Sequence, residues 1–360
     1  MQPLISNLSV VETFDQISLF SAQIQYLTNL EYGYCEKTLR HSFFAMAKVL
    51  NHFEYQFPPV SKNCFVTTNL RRFVATVIST RGIPFIHLYA LVSTLPNIYK
   101  IRQLSVPDEP VTALEISLAL SEVEYTQLTP KLFQFGQETL IDVALQLDEP
   151  YRRHKRLIVF DMDSTLIRQE VIDELAREAG VYDKIAPITE SAMRGEIDFN
   201  ESLRQRVGLL KDQPSQIIDT VKGRISFTDG AVELCRILKH LGYKMAVLSD
   251  YAFANNLEHT QDKSKLTGKV NGPIVNGERK AELLTVIAQA EGIMKQQIFA
   301  VGDGANDLLM LAEAGVGIAF NAKPKVQQQA KVRLNQPNLL NILYLLGLDW
   351  SEIATFNKET

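Results

Sequence analysis

Apolar and polar residues follow three different rhythms along this chain, and each rhythm predicts a different kind of structure. Residues 1 to about 60 are rich in Phe, Tyr and Leu, with helix-like spacing around Thr38 to Leu50, until Pro58 and Pro59 close the stretch. The residues assign no role to this N-terminal extension. From Arg71 the pattern shortens. Arg72 to Ile78 reads as a strand, Pro84 to Leu95 as a helix, Ile98 to Leu104 and Thr112 to Leu120 as strands, and Leu128 to Leu147 as a second helix. A small α+β module over residues 61–150 is expected from that order.

The third rhythm begins after Glu149-Pro150 and the basic run Arg152-Arg153-His154-Lys155-Arg156, which read as a linker. A solvated basic hinge is the expectation here, because the run has no interleaved aromatics and stops at once in a strand. Residues 151–360 then alternate strands and helices in the manner of a doubly wound parallel sheet. The strands are Leu157 to Phe160, Lys244 to Leu248, Ile298 to Val301 and Val316 to Phe320. The long interval between the first two is helix-patterned throughout. It is too long for a simple crossover and predicts an inserted helical cap over about residues 168–226.

Composition narrows the function. The 360 residues suit two domains, and 46% apolar with 22% charged residues is ordinary for a globular chain. A formal net charge of -4 gives no general attraction to nucleic acid or to an anionic membrane, so neither is expected as a partner. No apolar run approaches a membrane span. Cys35, Cys64 and Cys235 are an odd, scattered set, which argues against a disulfide framework and a zinc cluster. With no basic n-region followed by an apolar stretch at the N-terminus, the expected location is cytoplasmic. The six histidines do not fall at metal-ligand spacing.

Two segments carry chemistry. Leu157 to Phe160 runs into Asp161-Met162-Asp163-Ser164-Thr165, two carboxylates two residues apart at the carboxyl edge of a strand, where open α/β sheets bind ligands. A hard cation would find oxygen ligands there, and a phosphate would find the free N–H groups at the start of the next helix. Helix capping by Asp163-Ser164-Thr165 is the plainer alternative. Ala300-Val301-Gly302-Asp303-Gly304-Ala305-Asn306-Asp307 is a second strand ending in an acidic, glycine-containing turn. Four carboxylates from two loops repel one another unless a cation sits among them, and an all-oxygen set suits Mg²⁺ better than Zn²⁺. A structural cation site is the alternative.

Together, D-x-D-x-T and G-D-G-x-N-D in this order resemble the haloacid dehalogenase (HAD) superfamily, and the intervening residues resemble its phosphoserine phosphatases. The resemblance covers about Lys155 to Leu346. It implies a HAD-like α/β fold, a doubly wound parallel sheet with an inserted helical cap. It further implies that Asp161 attacks phosphorus to form an aspartyl-phosphate and that Asp163 is the general acid and base. Mg²⁺ would be held by Asp161, Asp163 through its backbone carbonyl, and Asp303. Lys280 matches the phosphate-binding lysine, oriented by Asp307, while Thr165 and Asn306 complete the motifs. Glu170 would pair with the ammonium of O-phospho-L-serine and Arg206 with its carboxylate, under an apolar lid of Met193 and Phe199. Ser249 matches the phosphate-binding hydroxyl. The implied reaction yields L-serine and phosphate, the last step of L-serine biosynthesis. The module at 61–150 resembles the ferredoxin-like, ACT-like regulatory domains that precede some of these enzymes, with which a homodimer and an L-serine effector are compatible.

One feature departs from the family. After Met245 to Ser249 the family continues with Gly-Gly-Phe and a helix before a strand like Asp250 to Asn255, and here that connection is absent. Parallel neighbours need a crossover of roughly a dozen residues. Asp250 also replaces a glycine whose N–H approaches the phosphate, placing a carboxylate beside an anion. Impaired turnover is therefore expected. Two other readings stay open: a phosphatase for another small metabolite, which would not need both Glu170 and Arg206, and a catalytically dead serine-binding protein.

Overall fold

The structure, a computed structural model, describes residues 55–56, 70–107, 109–194, 196–248 and 256–358. The expected helix at Thr38 to Leu50, the strand at Asp250 to Asn255 and Ser249 lie outside them.

The first unit is a five-stranded antiparallel sheet in the order β1-β3-β4-β2-β5, with two helices on one face. In chain order these are β1 (Tyr55–Gln56), β2 (Arg71–Ile78), α1 (Phe85–Thr94), β3 (Ile98–Gln103), β4 (Ala113–Leu120), α2 (Glu122–Thr139) and β5 (Asp142–Leu147). Phe73, Ala75 and Val77 of β2, with Leu114, Ile116 and Leu118 of β4, alternate inward beneath Leu88, Leu91, Leu128 and Leu132 of the helices. Ser121 starts α2 with a reciprocal capping box: its Oγ accepts the Glu124 N–H, and the Glu124 carboxylate accepts the Ser121 N–H at 2.7 Å. The helix expected over Leu128 to Leu147 is corrected here. It ends at Thr139, because Leu140 turns left-handed at φ 58°, and Asp142–Leu147 alternates with period two and pairs with β2.

The other face of this sheet mixes buried apolar residues with polar ones, and it is covered. Glu115 accepts from Arg152 at 2.9 Å and from Arg102 at 3.3 Å. Arg152 belongs to the short helix α3 (Pro150–Arg153) and is 5% exposed, as is Lys155, which donates to the Gln296 carbonyl. Two residues of the basic run, Arg152 and Lys155, are thus buried in a seam rather than solvated in a hinge, while Arg153, His154 and Arg156 are exposed. Charge in this stretch is neutralised by Glu115 and by backbone carbonyls, a requirement for burying it.

The second unit is a parallel sheet in the order β12-β11-β10-β6-β7. Its strands are β6 (Leu157–Phe160), β7 (Lys244–Val247), β10 (Ile298–Gly302), β11 (Val316–Phe320) and β12 (Val332–Leu334). β12, three residues long, is additional to the expected strands. Ile158, Phe160, Phe299 and Phe320 face one side, beneath α8 (Ala231–His240) and residues 339–346. Leu157, Val159, Ala300 and Ala319 face the other, beneath α9 (Gly277–Ala290) and α10 (Leu308–Glu313). Burial on both faces explains the unbroken apolar runs. β7 differs: Lys244 and Met245 are exposed, and among the described residues no strand lies beyond it in this sheet.

Between β6 and β7 the chain leaves and re-enters through a short two-stranded ladder. Arg168 N–H donates to Ser226 O at 3.0 Å, Thr228 N–H donates to Leu166 O at 2.9 Å, and Ile167 faces Phe227. Four helices follow the first hinge strand: α4 (Val171–Glu178), α5 (Tyr182–Arg194), α6 (Phe199–Gly208) and α7 (Gln216–Lys222). A hairpin, β8 (Asn256–His259) with β9 (Leu266–Asn271), joins them from beyond β7 and packs Leu257, Leu266 and Val270 into their apolar cluster.

The two units share an apolar core. Ile78 and Ala144 of the first lie in the same cluster as Phe160 and Leu346 of the second. No helix among the described residues is long and apolar enough to cross a membrane.

Candidate active site

β6 and β10 are adjacent and parallel, so the turns that leave them meet at one edge of the sheet. Asp161 leaves β6 with extended backbone, its N–H still bonded to Val301 O at 2.8 Å. Its Oδ1 accepts from Lys280 Nζ at 2.6 Å, and the same ammonium donates to Asp307 Oδ1 at 2.7 Å. Lys280 lies on the first turn of α9 and is only 2% exposed. Asp307 Oδ2 accepts the Gly304 N–H at 3.0 Å. Two glycines make this possible: a Cβ on Gly302 would lie 2.5 Å from the Asp307 carboxylate, and one on Gly304 would lie 2.2 Å from Asn306 Oδ1.

Carboxylate oxygens of Asp161, Asp303 and Asp307 all come within 4.8 Å of one another, and all three residues are buried. Burial pushes the Asp303 carboxyl up to about 7, although Lys323 pulls it down. Asp161 is raised by burial and then by Asp307, against the pull of Lys280. Burial works against the Lys280 charge as well, but Asp161 and Asp307 outweigh it and hold the ammonium protonated. One buried ammonium among three buried carboxyls leaves an excess of negative charge. An all-oxygen donor set with unneutralised charge fits a hard divalent cation.

Asp163 is tied to the first of the inserted helices. Its Oδ2 accepts the Val171 N–H at 3.1 Å, the first of α4, so it caps the first helix of the insertion. One N–H at that helix start, that of Val171, is therefore taken by an internal carboxylate. Ser164 between them has φ 55°, a conformation that costs a non-glycine residue energy and is often stored at functional turns. Ser164 Oγ donates to Glu170 Oε1 at 3.0 Å. Thr165 is fully buried, with no hydrogen-bond partner for its hydroxyl among the described residues.

Arg206, on α6, and Glu170, just before α4, both bear on the charge of one group. Burial raises the half-buried Asp173 carboxyl, the charge on Glu170 raises it further, and Arg177, Arg206 and Lys323 pull it down. Phe199, at the start of α6, packs on the apolar cluster of the inserted helices, as does Met162. Met193 sits in α5, with its side chain outside the described residues. Asn306 lies in the turn after β10, its carbonyl 2.9 Å from where a Cβ on Gly277 would be.

Two residues with a place here escaped the sequence reading: Asp173 and Lys323. Lys323 ion-pairs with Glu170 at 3.5 Å and with Asp303 at 3.6 Å. Its only sequence signal is position, just after β11 as Asp303 is just after β10.

Comparison with known proteins agrees with this geometry. A family model of haloacid dehalogenase-like hydrolases matches residues 155–315. A protein of Schizosaccharomyces pombe described as a probable phosphoserine phosphatase is 50% identical over 225 residues, covering 58% of this chain and 76% of its own. Among solved structures, a HAD family hydrolase of Salmonella enterica serovar Typhi superposes with a TM-score of 0.65 at 29% identity, over 76% of this chain and 98% of that one. A structure titled as a phospho-aspartyl intermediate analogue of phosphoserine phosphatase gives 0.50 at 42% identity, over 53% of this chain and 98% of its own. With these motifs, this sheet and these relatives, the chain belongs to the phosphoserine phosphatases of the haloacid dehalogenase-like hydrolases.

Proposed function

We propose that this chain hydrolyses O-phospho-L-serine to L-serine and phosphate, the closing step of L-serine synthesis, with Mg²⁺ as its cation. The observation that carries the reading is the buried Asp161–Lys280–Asp307 chain beside Asp303. Asp161 is the nucleophile: its free oxygen attacks phosphorus and its other oxygen is held by Lys280. Lys280 also neutralises charge that builds on the phosphoryl oxygens, and Asp307 keeps it aimed. Asp163 gives a proton to the departing serine oxygen and then takes one from the water that opens the aspartyl-phosphate. Its bond to Val171 N–H sets its position for both steps. Asp161, the Asp163 carbonyl and Asp303 would hold Mg²⁺, which when bound offsets charge between carboxylate and phosphate. Glu170 and Arg206 read the two ends of the amino-acid head group, and a guanidinium suits a carboxylate. Met193 and Phe199 close the lid, Ser249 and Asn306 contact the phosphate, and Thr165 supports the turn.

The unit before Pro150 is read as ACT-like, with L-serine as its effector in a homodimer. Its support is the β-α-β-β-α-β order from β2 to β5. The scattered cysteines support a reducing, cytoplasmic setting. Phosphate release from a panel of esters, with and without Mg²⁺, tests the reading. Phosphoserine should be the preferred substrate and Mg²⁺ required. Equal turnover of esters lacking ammonium and carboxylate would point to another metabolite.

A further inference from the structure

Lys323 ends the turn after β11, and its N–H donates to the Asp303 carbonyl at 3.1 Å, which pins this loop beside that aspartate. Pro324, next in the chain, begins a helix over Pro324–Gln329 and fixes the backbone there. The side chain is less restrained. Its ammonium lies 3.6 Å from Asp303 Oδ2 and 3.5 Å from Glu170 Oε1, and it is 38% exposed. These contacts are long beside the 2.6 and 2.7 Å bonds of buried Lys280. One loosely held cation therefore spans a carboxylate of the buried cluster and a carboxylate at the start of the inserted helices.

We propose that Lys323 is a placeholder cation that couples metal binding to substrate binding. Its ammonium occupies Glu170 much as the ammonium of an amino acid would, and it neutralises Asp303 in place of a divalent ion. A divalent ion at Asp303 repels the lysine and removes half of what holds it, so the lysine leaves Glu170 as well. Glu170 is then free for the incoming ammonium. Because coupling is reciprocal, a ligand ammonium on Glu170 eases entry of the metal. Glu170 as the ammonium site rests on the phosphoserine reading; competition at Asp303 does not.

Titration calorimetry on the full chain separates the two. Mg²⁺ alone is titrated first, then L-serine with and without Mg²⁺, for the parent, Lys323→Met, Lys323→Arg and the exposed control Lys325→Met. The parent should bind L-serine roughly tenfold more tightly when Mg²⁺ is present, within the usual range of coupling. Lys323→Met should bind Mg²⁺ several-fold more tightly and bind L-serine equally well with or without it. Lys323→Arg should retain the coupling, and Lys325→Met should behave as the parent. Unchanged Mg²⁺ affinity in Lys323→Met overturns the placeholder role, as does coupling that survives in that variant. Tighter Mg²⁺ binding with no L-serine binding by any form overturns Glu170 as an ammonium site, and the coupling with it.

Discussion

The Asn335 backbone N–H donates to Asp142 Oδ2 at 2.6 Å, and this bond joins the edge of the antiparallel sheet to the edge of the parallel one. Gln336 adds a second donor to the same oxygen at 3.2 Å and reaches back through its own oxygen to the Thr80 N–H at 2.9 Å. An unpaired edge strand invites pairing with other chains. Here β5 and the residues after β12 cover one another.

The junction should make stability depend on pH. Burial raises the Asp142 carboxyl from 3.8 to about 6, against the pull of Asn335 and Gln336. Below about pH 4 both folded and unfolded states hold the proton. Between about pH 4 and 6 the unfolded state releases it first, so this group destabilises the fold increasingly as pH rises, by about 3 kcal/mol in all. Above pH 6 the penalty is constant. Urea unfolding of the parent and Asp142→Asn from pH 4 to 7 should show the parent losing ground to the variant across that window alone. A pH-independent difference would mean that Asp142 titrates normally.

Asp161→Asn should abolish turnover and phosphoenzyme trapping. Folding should survive, because the asparagine carbonyl can still accept from Lys280. The check is acid-quench trapping of phosphate on protein alongside a thermal melt, in a form carrying the connection after Ser249. Turnover at the parental rate would end the nucleophile assignment.

Arg206→Ala should cost phosphoserine more than a phosphate ester without a carboxylate. Truncating one partner of a buried charge pair costs roughly 2 to 5 kcal/mol, which is more than tenfold in kcat/KM. Equal losses for the two substrates would show that Arg206 does not read the carboxylate.

Inserting Gly-Gly-Phe and a helix of family length after Ser249 should raise both the melting temperature and Mg²⁺-dependent phosphate release. The right-handed crossover rule puts such a helix on the same face as α8. That is where Val232 is 61% exposed and Met245 37%. A preorganised donor to a phosphoryl group is worth around 10² to 10³ in rate. Equal melts and equal rates for the two forms would show that the chain closes its site by another route.

Legibility in the sequence tracked burial. β6, β10 and β11 were plain because both their faces are covered, so apolar residues run unbroken. The segment of β5 reads as a continuation of the preceding helix because the left-handed break at Leu140, a non-glycine residue, leaves no mark in the sequence. Arg152 and Lys155 resembled a solvated run because their partners, Glu115 and the Gln296 carbonyl, lie 37 and 141 residues away. Within the site, Asp161, Asp303 and Asp307 were marked by their turns, whereas Lys280 stood out only by resemblance. Lys323 carried no motif, since what places it is the meeting of three strand ends in space.

Ile78 and Ala144 sit in the same apolar cluster as Phe160, Leu343 and Leu346. The chain therefore cannot be divided at Pro150 as if at a tether. A fragment beginning there would present to water the patch that those two side chains cover, and Arg152 would lose Glu115. Such a fragment would self-associate, because an apolar surface stripped of its lining takes whatever lining is nearest. For the intact chain, the consequence is a single cooperative melt in which neither unit outlasts the other.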